Sequence, residues 1–145
     1  MAKTKKISSW KWFAVKLLFA SSISGEPTTE KLDEKYTNEF KLFEERIVVV
    51  KAQSSDHAYR LAELKAKASE MTYINLYDQT VYCRLVDSIN CQQLFDSEIM
   101  SGTEIYSRLF EESVEMDIET VIEKHFPESL PKEEVTPYYC FLING

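Results

Sequence analysis

The residues of this sequence that are equipped for chemistry are charged and aromatic side chains that alternate with apolar ones in β-rich runs. Side chains alternate between the two faces of a strand, and neighbouring strands lie about 4.8 Å apart, so opposite charges on adjacent strands come within ion-pair reach. Trp, Tyr and Arg are also the residue types that dominate binding energy at protein interfaces. The candidate binding residues are Trp12, Lys16, Glu45, Arg46, Tyr82, Arg84, Glu104, Tyr106 and Arg108.

Two explanations of this set stay open. If alternation places these side chains on the sheet face that the helices leave uncovered, they form a recognition face, and Trp12, Tyr82, Tyr106 and Arg108 fill the surface of a partner. The simpler explanation is a ladder of solvated salt bridges, each worth about 0–1 kcal/mol.

Histidines and cysteines show no catalytic or metal-binding spacing. His57 and His125 are far apart in the sequence, whereas a zinc site needs three or four converging ligands. Cys83, Cys91 and Cys140 are odd in number and lack the C-x-x-C spacing, which is typical of small buried hydrophobes in a reducing compartment. The sequence therefore predicts no catalytic residue, no metal and no cofactor.

The charge distribution disfavours duplex nucleic acid as a partner. The chain has 17 Lys and Arg against 24 Asp and Glu, a formal net charge of −7. Residues 1–20 hold five lysines and no acid, while residues 96–145 hold twelve acids and three bases. An acidic surface repels phosphate backbones and attracts a basic partner, although acidity that only maintains solubility is the simpler explanation.

The N-terminal 25 residues have some features of a secretory signal, because Lys3, Lys5 and Lys6 precede an apolar stretch. Lys16 interrupts that stretch, which argues against a signal peptide. No run reaches the ~20 apolar residues that a transmembrane helix needs. Together with the cysteine pattern, this predicts a cytoplasmic protein with no membrane association.

Hydrophobic periodicity predicts an α+β fold. Strands are predicted over residues 10–19, 46–52, 73–77, 80–89 and 103–110, with residues 46–52 as a central strand buried on both faces. Helices are predicted over residues 56–70, from Val114 to Pro127, and, within the insert, along Leu32, Tyr36, Phe40 and Phe43. The expected architecture is an antiparallel or mixed sheet of about five strands with helices mainly on one face.

The predicted domain organisation is a single domain with two tails. Residues 1–9 form a basic N-terminal tail, and residues 10–126 form one α+β domain that carries an acidic insert at 21–44. Residues 127–145 contain prolines and are expected to form a tail or, through the apolar run 138–143, an edge strand.

Three strings of the sequence together resemble a known family. They lie at residues 12–19, at residues 44–52 followed by 55–59, and at residues 102–110. In order and spacing they are similar to the small bacterial family catalogued as domain of unknown function 4288, over about residues 10–112. The resemblance implies no particular activity, cofactor or catalytic residue. The acidic insert and the tail after Ser113 depart from the family's usual compactness.

The function expected from these observations is that of a non-catalytic, cytoplasmic protein-binding module, for example an immunity protein, antitoxin or accessory subunit of a bacterial conflict or defence system. An alternative is a small-ligand-binding domain or enzyme that uses Glu45, Arg46, Glu104 and Arg108 in a cleft. A third hypothesis is a structural subunit that associates with copies of itself.

Overall fold

A four-stranded antiparallel sheet is the frame of this protein, in a computed structural model that describes residues 9–129. Contacts divide these residues into two compact units, 9–106 and 107–129. In the first unit the sheet order is β2-β1-β4-β3, and the strands and helix are β1 (Lys11–Ser24), β2 (Phe43–Ala52), α1 (Ser55–Ala68), β3 (Met71–Ile74) and β4 (Thr80–Gln93). The predicted α+β fold is confirmed, with four strands rather than five in the described part of the chain.

The core lies between one face of the sheet and α1. Alternate residues of the central strand β1 are almost fully buried there, as its apolar alternation predicts. Ala58, Ala62 and Ala66 recur every fourth residue, so they form one stripe of α1 and allow the helix to lie close to the sheet. The β1 residues of this core are Phe13, Val15, Leu17 and Phe19. We call this side of the sheet the helix face, and the opposite side, which carries Trp12 and Lys16, the outer face.

The strand β2 is an edge strand. It pairs with β1 alone among the described residues, in a register that runs from Lys11 opposite Ala52 to Ala20 opposite Phe43. Its even-numbered residues turn inward and its odd-numbered residues are exposed. The prediction of a central strand buried on both faces is therefore wrong, because an apolar run does not reveal whether a second neighbour lies beside it.

The helix α1 begins and ends where its local sequence directs. The Ser54 side chain accepts a hydrogen bond from the backbone N–H of His57 at 3.1 Å, which satisfies one of the free donors of the first turn. Asp56 in the first turn and Lys65 and Lys67 in the last turn complement the helix dipole. The predicted helix over residues 56–70 is confirmed, with its end at Ala68.

The turn between β3 and β4 contains no glycine, although one of its residues has a positive φ. Asp78 adopts a left-handed conformation at φ 62°, which Asp tolerates better than most residues. The Asn75 side chain accepts hydrogen bonds from the backbone N–H groups of Tyr77 and Gln79. A turn is present where one was predicted, but it spans residues 75–79 rather than 78–79, because β3 ends at Ile74.

The insert between β1 and β2 is held by polar contacts to this turn. Asp78 accepts hydrogen bonds from the Thr28 hydroxyl at 2.6 Å and from Lys31 Nζ at 2.8 Å. The Tyr77 hydroxyl donates to Asp33 at 2.7 Å. The predicted helix is wrong: the insert contains one 3₁₀ turn, Thr29–Lys31, and its aromatic positions do not share a buried stripe.

The insert is expected to respond to acid through these two carboxylates. Hydrogen bonds from Lys31 and Thr28 lower the pKa of Asp78 from its ordinary 3.8, and the Tyr77 hydroxyl lowers that of Asp33. Both carboxylates hold protons more weakly when folded, so their stabilisation is complete above the ordinary pKa and is lost as the pH falls through the folded pKa.

We therefore expect the melting temperature to fall as the pH decreases from about 5 to about 2, and we expect this fall to be smaller in Asp78→Asn than in the native chain. Calorimetry of both proteins across this range measures the slope, and Asn keeps the left-handed turn accessible. Asp96→Asn, at an exposed position, is the control that should leave the slope unchanged. An acid slope equal to that of the native chain in Asp78→Asn would contradict the assignment.

The segment after β4 is extended but is not a strand. Its first residue donates the last hydrogen bond to β1, from Leu94 N to Trp12 O at 2.8 Å. Gly102 then takes a positive φ of 90°, as predicted for a turn. No strand forms over residues 103–110, so that prediction is wrong. Alternation alone does not make a strand, because the backbone also needs a neighbouring strand for its hydrogen bonds.

The second unit is built around the helix α2 (Ile118–His125), which is followed by a 3₁₀ turn at Pro127–Ser129. Asp117 caps α2 by accepting from Thr120 N at 2.8 Å, so the helix begins four residues later than predicted. Glu112 accepts hydrogen bonds from Lys124 and His125, each at 2.7 Å, which lower the pKa of Glu112. The tail over residues 1–8 and the edge strand predicted at 138–143 lie outside the described residues.

Candidate functional site

The outer face of the sheet carries five of the nine predicted site residues. The register places Leu18 opposite Glu45, and Ala20 and Ser22 opposite Arg84 and Tyr82. Directly opposed residues of antiparallel strands share a face, so these side chains lie on the same side as Trp12 and Lys16. The five residues are Trp12, Lys16, Glu45, Tyr82 and Arg84.

Lys16 is the centre of a polar cluster on this face. Its Nζ lies 2.8 Å from Glu45 Oε1 and donates to the Tyr106 hydroxyl at 2.9 Å. Hydrogen bonds to Glu45 and then Tyr106 raise the pKa of Lys16. Tyr106, the sixth predicted residue in this region, arrives on the non-strand segment that follows β4. Because Glu45 is exposed, the ion pair contributes little stability and mainly fixes the three side chains in place.

A stripe of exposed apolar side chains lies beside this cluster on β2. Phe43, Ile47 and Val49 are 55%, 37% and 38% exposed, and they alternate with inward-facing residues. Glu45 lies within the stripe and Lys51 at its end, with Lys51 Nζ 5.8 Å from the centre of the Trp12 ring. Sequence reasoning missed these three residues because it placed Phe43 on a helix of the insert and took residues 46–52 to be a strand buried on both faces. Lys51 was the available signal, because a Lys side chain is almost never fully buried.

Arg84 joins β4 to β3 at the other end of the outer face. Its guanidinium donates to Thr72 Oγ1 and to the Met71 carbonyl, both at 2.9 Å, and lies 3.6 Å from Glu70. It also lies 5.4 Å from the centre of the Tyr82 ring. Arg84 is thus engaged in holding the short strand β3.

The three remaining predicted residues are not strand residues of the outer face. Arg46 lies opposite Leu17 and points to the helix face, where its guanidinium carbon is 4.0 Å from the Phe19 ring centre. Arg46 and Glu45 therefore point to opposite faces of the sheet, because consecutive strand residues alternate between the two faces. Glu104 is exposed on the segment that forms no strand, and Arg108 belongs to the second unit, 4.9 Å from the Phe110 ring centre.

The described thiols and imidazoles are engaged in local contacts. Cys83 Sγ lies 3.4 Å from the buried Ser21 hydroxyl, and burial raises the pKa of Cys91, which makes it a poor nucleophile. His57 Nδ1 accepts a hydrogen bond from Gln53 N. Within residues 9–129 no three His, Cys, Asp or Glu side chains are grouped so as to hold a metal ion. Nor does that stretch include a helix with the length and apolar character needed to cross a membrane.

A groove of about 490 Å³ separates the end of β1 from the insert. Its lining is mainly apolar and aromatic, including Ile23, Tyr36 and Phe40, together with hydroxyl and amide groups such as those of Ser22 and Asn38. Of the described residues that line it, Lys41 alone is charged. The groove therefore offers polar contacts without an acid–base pair.

Comparison with known proteins places this fold in a family. The family model described as Domain of unknown function (DUF4288) matches residues 12–107, which include Lys16, Glu45 and Tyr106. Comparisons with curated proteins and with solved structures gave no match. The family match covers well over half of the 145 residues and confirms the resemblance seen in the sequence. The chain belongs to the DUF4288 family.

Proposed function

We propose that this protein is a non-catalytic protein-binding module whose contact surface is the outer face of β1 and β2. The observation that carries the proposal is the exposed stripe of Phe43, Ile47 and Val49 beside the fixed Lys16 cluster. Exposed apolar and aromatic side chains that lie together are typical of the part of a surface that a protein partner covers.

The energetics of the stripe suit a protein partner. Full burial of a large apolar side chain contributes about 1.5–3 kcal/mol. The three stripe residues are about half exposed, so each contributes roughly 1 kcal/mol when a partner covers it. The Lys16, Glu45 and Tyr106 side chains are already held in place, so less side-chain entropy is lost on binding.

The partner we propose is a protein with a basic surface. The chain carries a net charge of −7, and its acids are concentrated after residue 95. Such a field attracts a basic partner and raises the association rate at low ionic strength. A cytoplasmic immunity protein, antitoxin or accessory subunit of a bacterial defence system fits this chemistry.

The arrangement favours binding over cleft chemistry that uses the Glu and Arg residues of the sheet. Glu45 and Arg46 point to opposite faces. Arg46 Nε forms an ion pair with Glu44 Oε1 at 2.8 Å, and its guanidinium lies over the Phe19 ring. A cleft built on both residues would need them to converge on one substrate.

The proposal is tested by affinity capture from native cells with matched variants. Trp12→Ala and Ile47→Asp change the outer face, and each is expected to reduce the captured partner at least about tenfold. Leu64→Asp, at a position of α1 that is 68% exposed, is the control that should retain the partner. Association measured at low and high salt should slow as salt increases.

Equal capture by the outer-face variants and the native chain would refute the proposed surface. A salt-independent association rate would remove the electrostatic part of the proposal.

A further inference from the structure

The outer edge of β2 presents a row of unpaired backbone groups. Ser21 N donates to Leu42 O at 2.9 Å, so residue 42 directs its backbone groups toward β1. The register between the two strands has no bulge, so the even-numbered residues of β2 do the same. The odd-numbered residues therefore direct their N–H and C=O groups away from the sheet, and no other described residue pairs with them. These residues are Phe43, Glu45, Ile47, Val49 and Lys51.

The two edges of the sheet differ in length. β3 has four residues, whereas β2 has ten, with no proline and no bulge. Short edges resist pairing with another chain, and a long regular edge favours it. β2 is therefore the edge suited to receive another strand.

The sequence of β2 is complementary to itself. When β2 is aligned antiparallel with a second β2 so that Val48 faces Val48, Glu45 faces Lys51 and Ile47 faces Val49. Two-fold symmetry repeats both pairs, so the outer face of the junction has two opposite-charge pairs and two apolar pairs. A shift of two residues, with Ile47 facing Ile47, puts Glu45 against Val49 and loses both charge pairs. Charge therefore favours the Val48-centred register over the Ile47-centred one.

We propose that two copies of this protein associate through antiparallel pairing of their β2 strands in the Val48-centred register. The two sheets then continue into one another, and the outward backbone groups of β2 gain hydrogen-bond partners. Edge pairing leaves the outer faces uncovered and places the two stripes side by side. The dimer does not depend on the proposed protein-binding function.

Sedimentation equilibrium of the full chain, from about 1 to about 100 μM, tests the proposal together with native mass spectrometry. The native chain is expected to form a species of twice its 16.9 kDa mass. Glu45→Lys and Lys51→Glu each place like charges opposite one another twice, so each is expected to raise the dimer Kd roughly tenfold. Lys67→Glu, at an exposed position of α1, is the control for net charge and should leave the Kd unchanged.

An equimolar mixture of Glu45→Lys and Lys51→Glu is the decisive sample. Opposite charges again face one another in the mixed dimer, so it should form with an affinity near that of the native dimer. Mixing the two variants changes no contact within either chain. If the dimer affinity recovers in the mixture, residues 45 and 51 must therefore face one another between copies. A native chain that stays monomeric at about 100 μM overturns the proposal. So does a mixture that associates no better than either variant alone.

Discussion

Replacing Phe19 by Ala is expected to lower the free energy of unfolding by about 3–5 kcal/mol. The Phe19 side chain is 1% exposed and lies on the helix face of the central strand. Its removal leaves a cavity between the sheet and the helix, and it also removes the cation–π contact with the Arg46 guanidinium. The cost combines lost apolar burial, lost packing and a cation left without its aromatic partner.

Urea unfolding of matched variants measures this effect. Phe95→Ala removes the same side chain at a position that is 97% exposed, so its effect should stay within about 0.5 kcal/mol. Phe19→Leu keeps most of the volume but loses the ring, so its cost should fall between the two. A loss below about 1 kcal/mol in Phe19→Ala would show that the Phe19 site is not part of the core.

Enlarging Ala62 to Leu is expected to lower the free energy of unfolding by about 1–3 kcal/mol. Ala62 is fully buried at the centre of the alanine stripe of α1, which packs in the core with residues of β1. A Leu side chain there forces the helix away from β1 or into unfavourable rotamers. Leu is nearly as good a helix former as Ala, so helix propensity does not account for the loss.

Ala68→Leu is the matched control for this prediction. It makes the same change at the exposed last residue of α1 and should alter stability by less than about 0.5 kcal/mol. Equal stability of the two variants would mean that α1 does not pack through its alanine stripe.

The features that were predicted correctly depend on interactions between residues near in sequence. The Ser54 cap and the helical spacing of the alanines are local, so α1 was located to within two residues at its end. The presence of a turn before β4 was also predicted, because it depends on hydrogen bonds within residues 75–79, from Asn75 to Gln79. Period-two alternation along β1 identified the buried side of the central strand.

The features that were not predicted depend on distant partners. The insert forms hydrogen bonds to the β3–β4 turn about 50 residues away, which the spacing of its own aromatic residues does not reveal. Alternation over residues 103–110 is regular, yet the segment forms no strand. In the candidate site, the Lys16–Glu45 pair follows from adjacent strands, whereas the hydroxyl of Tyr106 reaches Lys16 from 90 residues away.

The amino-acid sequence by itself determined which segments become α1, β1, β2 and β4 and which side of β1 is buried, because backbone propensity, capping and hydrophobic alternation act over a few residues. Only the tertiary structure decided that β2 is an edge strand, and therefore that Phe43, Ile47 and Val49 are exposed. Strand order is set by hydrogen bonds and packing between residues far apart in sequence, and the same apolar run satisfies local rules at the centre of a sheet or at its edge.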